Sequence, residues 1–576
     1  MIILGINAYH ADSSAAIFVN GILVAAIEEE RFTRVKHWAG FPSLAIKFCL
    51  AEAGVTIEQV DHIAIGRDPK AKLYKKILFL LKNLQGSFDV VKERLSNSKK
   101  VSSLENEFHV LTGADKEQIK KKIHQAEHHR SHLASAFFAS PFDEAALLSI
   151  DGSGDFTTTM IGIGKNNSIR VIGSVDFPHS IGIFYSAFTQ LLGFPYYGDE
   201  YKVMGLAPYG EPRYVEKLKK VVHLTNDGLF KLDLSYLKSA AKGVISYGEN
   251  HQPKVETLFS AKTVEEFGEP RKKEEALSQY HKDLAASVQK ITELVIFHIL
   301  NHLQKRTGLT NICIAGGVAQ NSVANGKISR NTTFKNIYIP PAGHDAGISM
   351  GAALFVQHQV LKQPKLSPVL SAYTGSRYSN KEIEQLLIAK KIQYKRIADE
   401  ELYLLVADRL IDAGVVGWFT GRAEFGPRAL GGRSILADPR RSDAKDLLNA
   451  RIKRRESFRP FAPSVLKEYV HEYFEVNDVV PFMEKVFPVR PEKYAAIPAV
   501  THIDGTGRLQ TVDKSVSPRY YALIEAFRIK TGVPVLLNTS FNENEPIVNS
   551  PSEALNCFLR TDMDMLVMEN IIVERQ

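Results

Sequence analysis

The feature that most constrains the fold is a pattern that occurs twice. Met1 to Asn7 reads as an apolar strand, followed by a polar loop, His10-Ala11-Asp12-Ser13-Ser14, and a second strand, Ala15 to Val19. Asn20-Gly21 then supplies the positive φ angles of a tight hairpin, and Ile22 to Ile27 returns as a third strand. The order recurs downstream: strand Ala145 to Ile150, polar loop Asp151-Gly152-Ser153-Gly154-Asp155, strand Thr157 to Gly164, a Lys165-Asn166-Asn167 turn, and strand Ile169 to Val175. Two copies of this order predict a duplicated domain. The competing reading is two unrelated hairpins, because small polar loops are common.

At 576 residues the chain exceeds one hydrophobic core and calls for three or four units of ~150 residues each. No apolar run approaches the ~20 residues that span a bilayer, so no membrane partner is expected. The first residues have no basic lead-in or cleavage site and read as a strand, which favours a cytoplasmic protein. Cys49, Cys313 and Cys557 are too scattered for a cysteine-ligated zinc finger or a disulfide framework. A net charge of +8 points to anionic small ligands before nucleic acid. A homodimer is among the expected assemblies.

Residues 68–126 are Lys-rich and helix-patterned and read as an inserted helical arm; a second polar insertion spans about 225 to 275. Helical periodicity is clear from Tyr280 to Lys305, and the strand Ile312-Cys313-Ile314 runs into Ala315-Gly316-Gly317. Pro364 and Pro368 interrupt the helical pattern, so 1–360 is assigned to a first domain, 361–380 to a linker and 381–576 to a second domain.

His128 and His132 are four apart in His128-His129-Arg130-Ser131-His132, so on a helix both imidazoles project from one face and can reach one metal ion. No Glu follows His128, so the general base of an H-E-x-x-H protease is missing. The alternative is a helix carrying two satisfied histidines. Asp151, at a strand end, and Asp345, in Gly343-His344-Asp345-Ala346-Gly347, would complete a set of two nitrogens and two oxygens suited to Fe(II), Mn(II) or Zn(II). Gly316-Gly317 lies between a strand and a helix, where backbone amides can approach a phosphate; such turns also serve merely as connections.

Five segments together carry a specific resemblance. They are Glu28-Glu29-Glu30-Arg31-Phe32-Thr33-Arg34-Val35-Lys36-His37, Glu200-Tyr201-Lys202-Val203-Met204-Gly205-Leu206-Ala207 and Ala315-Gly316-Gly317-Val318-Ala319-Gln320-Asn321, then Glu424-Phe425-Gly426-Pro427-Arg428-Ala429-Leu430-Gly431-Gly432-Arg433-Ser434-Ile435 and Leu537-Asn538-Thr539-Ser540-Phe541-Asn542. In this order they resemble the nodulation- and antibiotic-type O-carbamoyltransferases. The resemblance implies a duplicated actin-like (ASKHA) N-terminal domain, as in sugar kinases and Hsp70, followed by a YrdC-like α/β C-terminal domain.

The same resemblance implies residue roles. His128, His132, Asp151 and Asp345 would hold one metal, iron in family members. His10 would be the general base at the acceptor hydroxyl, although the family's His-Asp-Ala-Ser run is His10-Ala11-Asp12-Ser13-Ser14 here. Lys36, Lys202, Gly316, Gly317 and Asn321 would contact nucleotide in the first domain. In the second, Lys453 and Arg459 would be catalytic, with Arg422, Arg428, Arg433, Arg508, Ser540 and Asn542 contacting carbamoyl phosphate or ATP. Arginine forks suit phosphate oxygens, and Arg422, Arg428, Arg433, Arg451, Lys453, Arg454, Arg455 and Arg459 are interleaved with Gly and Pro rather than set in heptads. A solvated basic face and an RNA surface are the competing readings of that cluster.

The implied reaction has two stages. Carbamoyl phosphate and ATP, with Mg(II), give carbamoyl-adenylate in the second domain. The carbamoyl group then passes, without release to bulk water, to a hydroxyl of a small-molecule or sugar acceptor at the metal of the first. Threonylcarbamoyl transfer to tRNA adenosine and an actin-like ATPase or chaperone are the alternatives.

Overall fold

A computed structural model describes residues 1–82, 103–238, 245–247 and 250–575, which fall into two compact units. The first comprises 1–324 and 328–370, the second 371–576 together with 325–327.

The duplication is present as architecture. The first half of unit one contributes strands β1 (Ile2–Asn7), β2 (Ser14–Val19), β3 (Ile22–Glu28), β4 (His62–Ile65) and β5 (Ile123–Gln125) in the order β3-β2-β1-β4-β5. The second half contributes β6 (Glu144–Gly154), β7 (Thr157–Lys165), β8 (Ser168–Asp176), β9 (Asn311–Ala315) and β10 (Asn336–Tyr338) in the order β8-β7-β6-β9-β10. In each sheet three antiparallel strands are followed by two parallel ones on the far side of the first strand. Two sheets with this shared order are the actin-like fold.

Strands β1 and β2 are buried along nearly their whole length because helices cover both faces of their sheet. Helix α1 (Ser43–Ala53) lies on one face, and α3 (Ile348–Leu354) packs on β1 and β2. Helix α2 (His128–Phe137), which follows β5 of the first sheet, instead packs on β6 of the second and against α3. The exchange of helices between sheets ties the halves together. It also brings α2 against α3 so closely that a Cβ on Gly351 would lie 2.0 Å from the Ser131 carbonyl oxygen.

Two local expectations differ from the structure. The 68–126 segment is not an arm throughout: Leu104 and Phe108 are core residues, and Ile123–Gln125 is the edge strand β5. The Lys-rich pattern conceals this because β5 is only three residues long; residues 83–102 lie outside the described residues. The segment Asp151–Gly154 is not a loop but the end of β6, which shifts register against β7 between Ile150 and Gly154. The helix opened by Ile348 passes after Leu354 into a π-helical turn, Phe355–Val360.

Unit two is one mixed sheet of nine strands: β11 (Lys395–Arg396), β12 (Val416–Phe419), β13 (Arg433–Ala437), β14 (Ala462–Leu466), β15 (Lys485–Pro488), β16 (Thr506–Val512), β17 (Val535–Ser540), β18 (Met565–Met568) and β19 (Ile571–Glu574). Their order is β11-β19-β18-β12-β13-β17-β14-β16-β15. Helices Asp399–Ile411 and Pro518–Thr531 pack together, and the core around them includes Trp418, Phe527 and Tyr520. The chain is thus α/β throughout.

Candidate active site

The metal-ligand candidates come from three elements. Helix α2 supplies His128 and His132, one turn apart; the register shift of β6 supplies Asp151; and the turn before α3 supplies Asp345. One ligand atom from each of the four lies within 4.8 Å of every other, and all four residues are buried. Nε2 of His128 is 3.2 Å from Asp151 Oδ2 and 3.6 Å from Asp345 Oδ1; Nε2 of His132 is 3.1 and 3.3 Å from the same atoms. The intervening His129 points elsewhere, bridging the Ser149 hydroxyl and the Thr157 carbonyl.

Backbone geometry fixes each carboxylate. Asp151 Oδ1 accepts from the amides of Gly152 at 2.7 Å and Gly317 at 3.1 Å, which leaves Oδ2 for the histidines. Gly316 holds φ at 102°, and a Cβ there would lie 2.2 Å from the Ile150 carbonyl oxygen, so only glycine permits this approach. Gly154 is equally constrained, since a Cβ would meet the His128 ring at 2.1 Å.

Two observations test whether these residues suit a cation. Asp345 Oδ1 is buried and has no hydrogen-bond partner among the described residues, although it faces both Nε2 atoms. The four donors are also a mixed nitrogen and oxygen set of the kind that holds divalent first-row metals. Electrostatics agree. Burial pushes Asp151 up, but the imidazoles of His128 and His132 hold it well below the usual carboxylate range. Burial and Asp151 both push Asp345 up, yet His10 and His132 bring it down to about 2. The site therefore keeps two carboxylates ionised, and the residues fit a divalent cation.

His10 lies beside this cluster. Its Nδ1 is 2.7 Å from Asp345 Oδ2, and its ring centroid is 5.0 Å from that of His128. Burial opposes protonation of His10, but Asp345 outweighs it and raises the imidazole above its ordinary value. Asp12, the acidic residue of that loop, faces away from this role: its Oδ1 is 2.7 Å from His37 Nδ1. Burial opposes protonation of His37, but Asp12 and Glu30 outweigh it and raise the imidazole to about 9.

The remaining residues expected in this unit are placed differently. Lys202 Nζ pairs with Asp199 at 2.9 Å and lies over the Phe194 ring. Lys36 is half-buried in the turn next to His37. Asn321 spends its amide on capping the helix Ser322–Asn331 and on two hydrogen bonds with Gln289. Gly317 contributes its amide to Asp151.

In unit two the structure gathers part of the arginine set. Arg508, which stands on β16, has a buried Nε without a partner among the described residues. Burial and the positive charges of Arg428, Arg455 and Arg459 depress its protonation. Such a cluster of like charges is costly unless an anion occupies it. Arg455, a member of the arginine cluster between 422 and 459, sits on the Phe461 ring and bonds Asn449.

Lys453 is buried at the end of a π-helical turn, Leu448–Lys453, and its ammonium donates to the Ser540 carbonyl, the Asn542 carbonyl at 2.7 Å and Asn542 Oδ1 at 2.8 Å. It therefore clamps the end of β17, where Ser540 and Asn542 sit. Arg433 is fully buried on the Phe419 ring and donates to the carbonyls of Thr420, Gly421, Gly432 and Ser376. Arg422 likewise donates to the carbonyls of Gly375 and Thr374. These two guanidinium groups brace the loop instead of presenting a fork to it.

Comparison with known proteins matches residues 2–354 to the carbamoyltransferase N-terminus and 407–575 to the carbamoyltransferase C-terminus. The chain belongs to the carbamoyltransferase family. Its relatives include an uncharacterised protein of Synechocystis, 42% identical over all of this chain and 96% of the other. Nodulation protein NolNO of Sinorhizobium fredii is 37% identical over 99% of this chain and 80% of its own. Nodulation protein NolO of Bradyrhizobium diazoefficiens is 40% identical over 78% and 79%. Among solved structures, HypF of T. kodakarensis overlaps 63% of this chain and 48% of its own at 14% identity and a TM-score of 0.30. Among the described residues, no helix of this carbamoyltransferase is long and apolar enough to cross a membrane.

Proposed function

We propose that this carbamoyltransferase is ATP-dependent and transfers its group to the oxygen of a small-molecule or sugar hydroxyl. The observation that carries the reading is the close approach of His10 to Asp345, which sets an imidazole beside a four-donor cluster that could hold a metal. The cluster would hold Fe(II) or a similar divalent cation, which supplies Lewis-acid polarisation when bound.

The C-terminal unit, read as a YrdC-like module, activates the group. Water hydrolyses carbamoyl phosphate to carbamate and inorganic phosphate; the carbamate oxygen then attacks the α-phosphorus of ATP, with Mg(II), and pyrophosphate leaves. Arg428, Arg455, Arg459 and Arg508 offset the charge on the phosphate oxygens, while Lys453 fixes Ser540 and Asn542 beside them. At the N-terminal site Nε2 of His10 takes the hydroxyl proton, the oxygen attacks the carbamoyl carbon, and AMP departs.

ATP–pyrophosphate exchange tests this. Exchange should require carbamoyl phosphate and vanish in Arg459→Ala. ATP hydrolysis to ADP that ignores carbamoyl phosphate would overturn the reading in favour of an actin-like ATPase. Label from carbamoyl phosphate arriving on tRNA would overturn the acceptor class.

A further inference from the structure

Arg67 lies two residues past β4, at the carboxyl end of a parallel strand, where open α/β sheets place their ligands. The guanidinium is half-buried and donates from Nη1 to the Tyr9 carbonyl at 2.6 Å, one residue before His10. This is its one hydrogen bond among the described residues, and no carboxylate there lies within ion-pair distance. The next residue reaches the other wall of the site. Asp155 Oδ2 accepts from the amide of Asp68 at 2.8 Å and from the amide of His128 at 2.9 Å. Arg67 is thus anchored at once to the His10 loop and, through Asp155, to the head of the metal-ligand helix.

Charge balance gives this cation a task. A divalent ion neutralises Asp151 and Asp345, so nothing in that cluster offsets the negative charge of an adenylyl phosphate. Lys72 and Lys75 are already matched with Asp176, and Lys202 with Asp199. An arginine that spends only Nη1 keeps Nε and Nη2 to grip a phosphate bidentately in a partly desolvated cleft.

We propose that Arg67 is the phosphate contact of the N-terminal site, gripping the adenylyl phosphate before transfer and the AMP that leaves afterwards. The inference rests on the two-stage reading above. AMP binding is measured by calorimetry on the full chain loaded with metal, as wild type, Arg67→Lys and Arg67→Ala, with equal metal content verified for each. Arg67→Ala should bind AMP on the order of tenfold more weakly, with Arg67→Lys between it and the wild type. Carbamoyl transfer by Arg67→Ala should be partly restored by added guanidinium ion, which a merely structural role would not allow. ATP–pyrophosphate exchange should be unchanged in both variants, which also reports an intact fold. Unchanged AMP affinity in Arg67→Ala, or a transfer defect that guanidinium leaves untouched, overturns the proposal. If the wild type shows no exchange with carbamoyl phosphate, the two-stage reading falls, and the AMP titration still decides on Arg67 as a phosphate site.

Discussion

At the scale of single residues, the first site is a set of side chains whose partners are mostly one another. His132→Ala removes one of the two nitrogens, and bound metal per chain, read by elemental analysis, should fall by on the order of tenfold or more. The isosteric Asp345→Asn should weaken metal retention too, because the amide cannot supply the ionised oxygen that faces both histidines. His37 gives a pH signature of its own. Folded, it holds its proton to about 9, above the ordinary 6.5. Its pairing with Asp12 therefore contributes fully below 6.5 and is lost as pH rises through 9. Urea unfolding at both ends of this window should show the wild type losing stability toward alkaline pH, and His37→Gln should flatten that decline. An equal slope in the variant would rule out this pair as its source.

At the scale of elements, the informative features are places where backbone regularity breaks. The register shift in β6 turns Asp151 toward α2, and the positive φ of Gly316 lets the neighbouring strand's end come under it. Gly316→Ala should cost about 1–3 kcal/mol in chemical denaturation and lower metal retention as well, since the Ile150 carbonyl must move. In unit two, the buried carboxylate of Glu424 accepts from the amides of Leu430 and Gly432 at 2.7 Å and of Arg433 at 3.3 Å. It closes the loop that carries Arg428 into a ring. Glu424→Ala strands these buried donors, at about 1–3 kcal/mol each before relaxation, and should raise KM for carbamoyl phosphate more than it lowers kcat.

At the scale of the whole molecule, two units with separate site residues predict separable defects. Arg508→Ala should abolish pyrophosphate exchange and leave metal content at the wild-type level. His132→Ala should do the reverse. A variant in which both fail together, with the fold intact by circular dichroism, would refute the division of labour.

The sequence by itself determined the duplication, because strand alternation and the Asn20-Gly21 turn are local signals that need no distant partner. It also made the His128–His132 pair legible, since helical spacing alone places two imidazoles on one face. Its motif resemblance led to the carbamoyltransferase family to which the chain belongs. The three-residue strand β5 was hidden, because a strand so short owes its existence to a neighbour and not to its own propensity. Only the tertiary structure decided how cations of similar sequence context are spent. Arg433 and Arg422 brace carbonyls, Lys453 clamps a strand end, and Arg508 lies among like charges. Arg67, in no recognised motif, emerged beside His10 for the same reason. A guanidinium's task is set by which oxygens lie within ~3 Å of it, and that is a property of distant segments brought together.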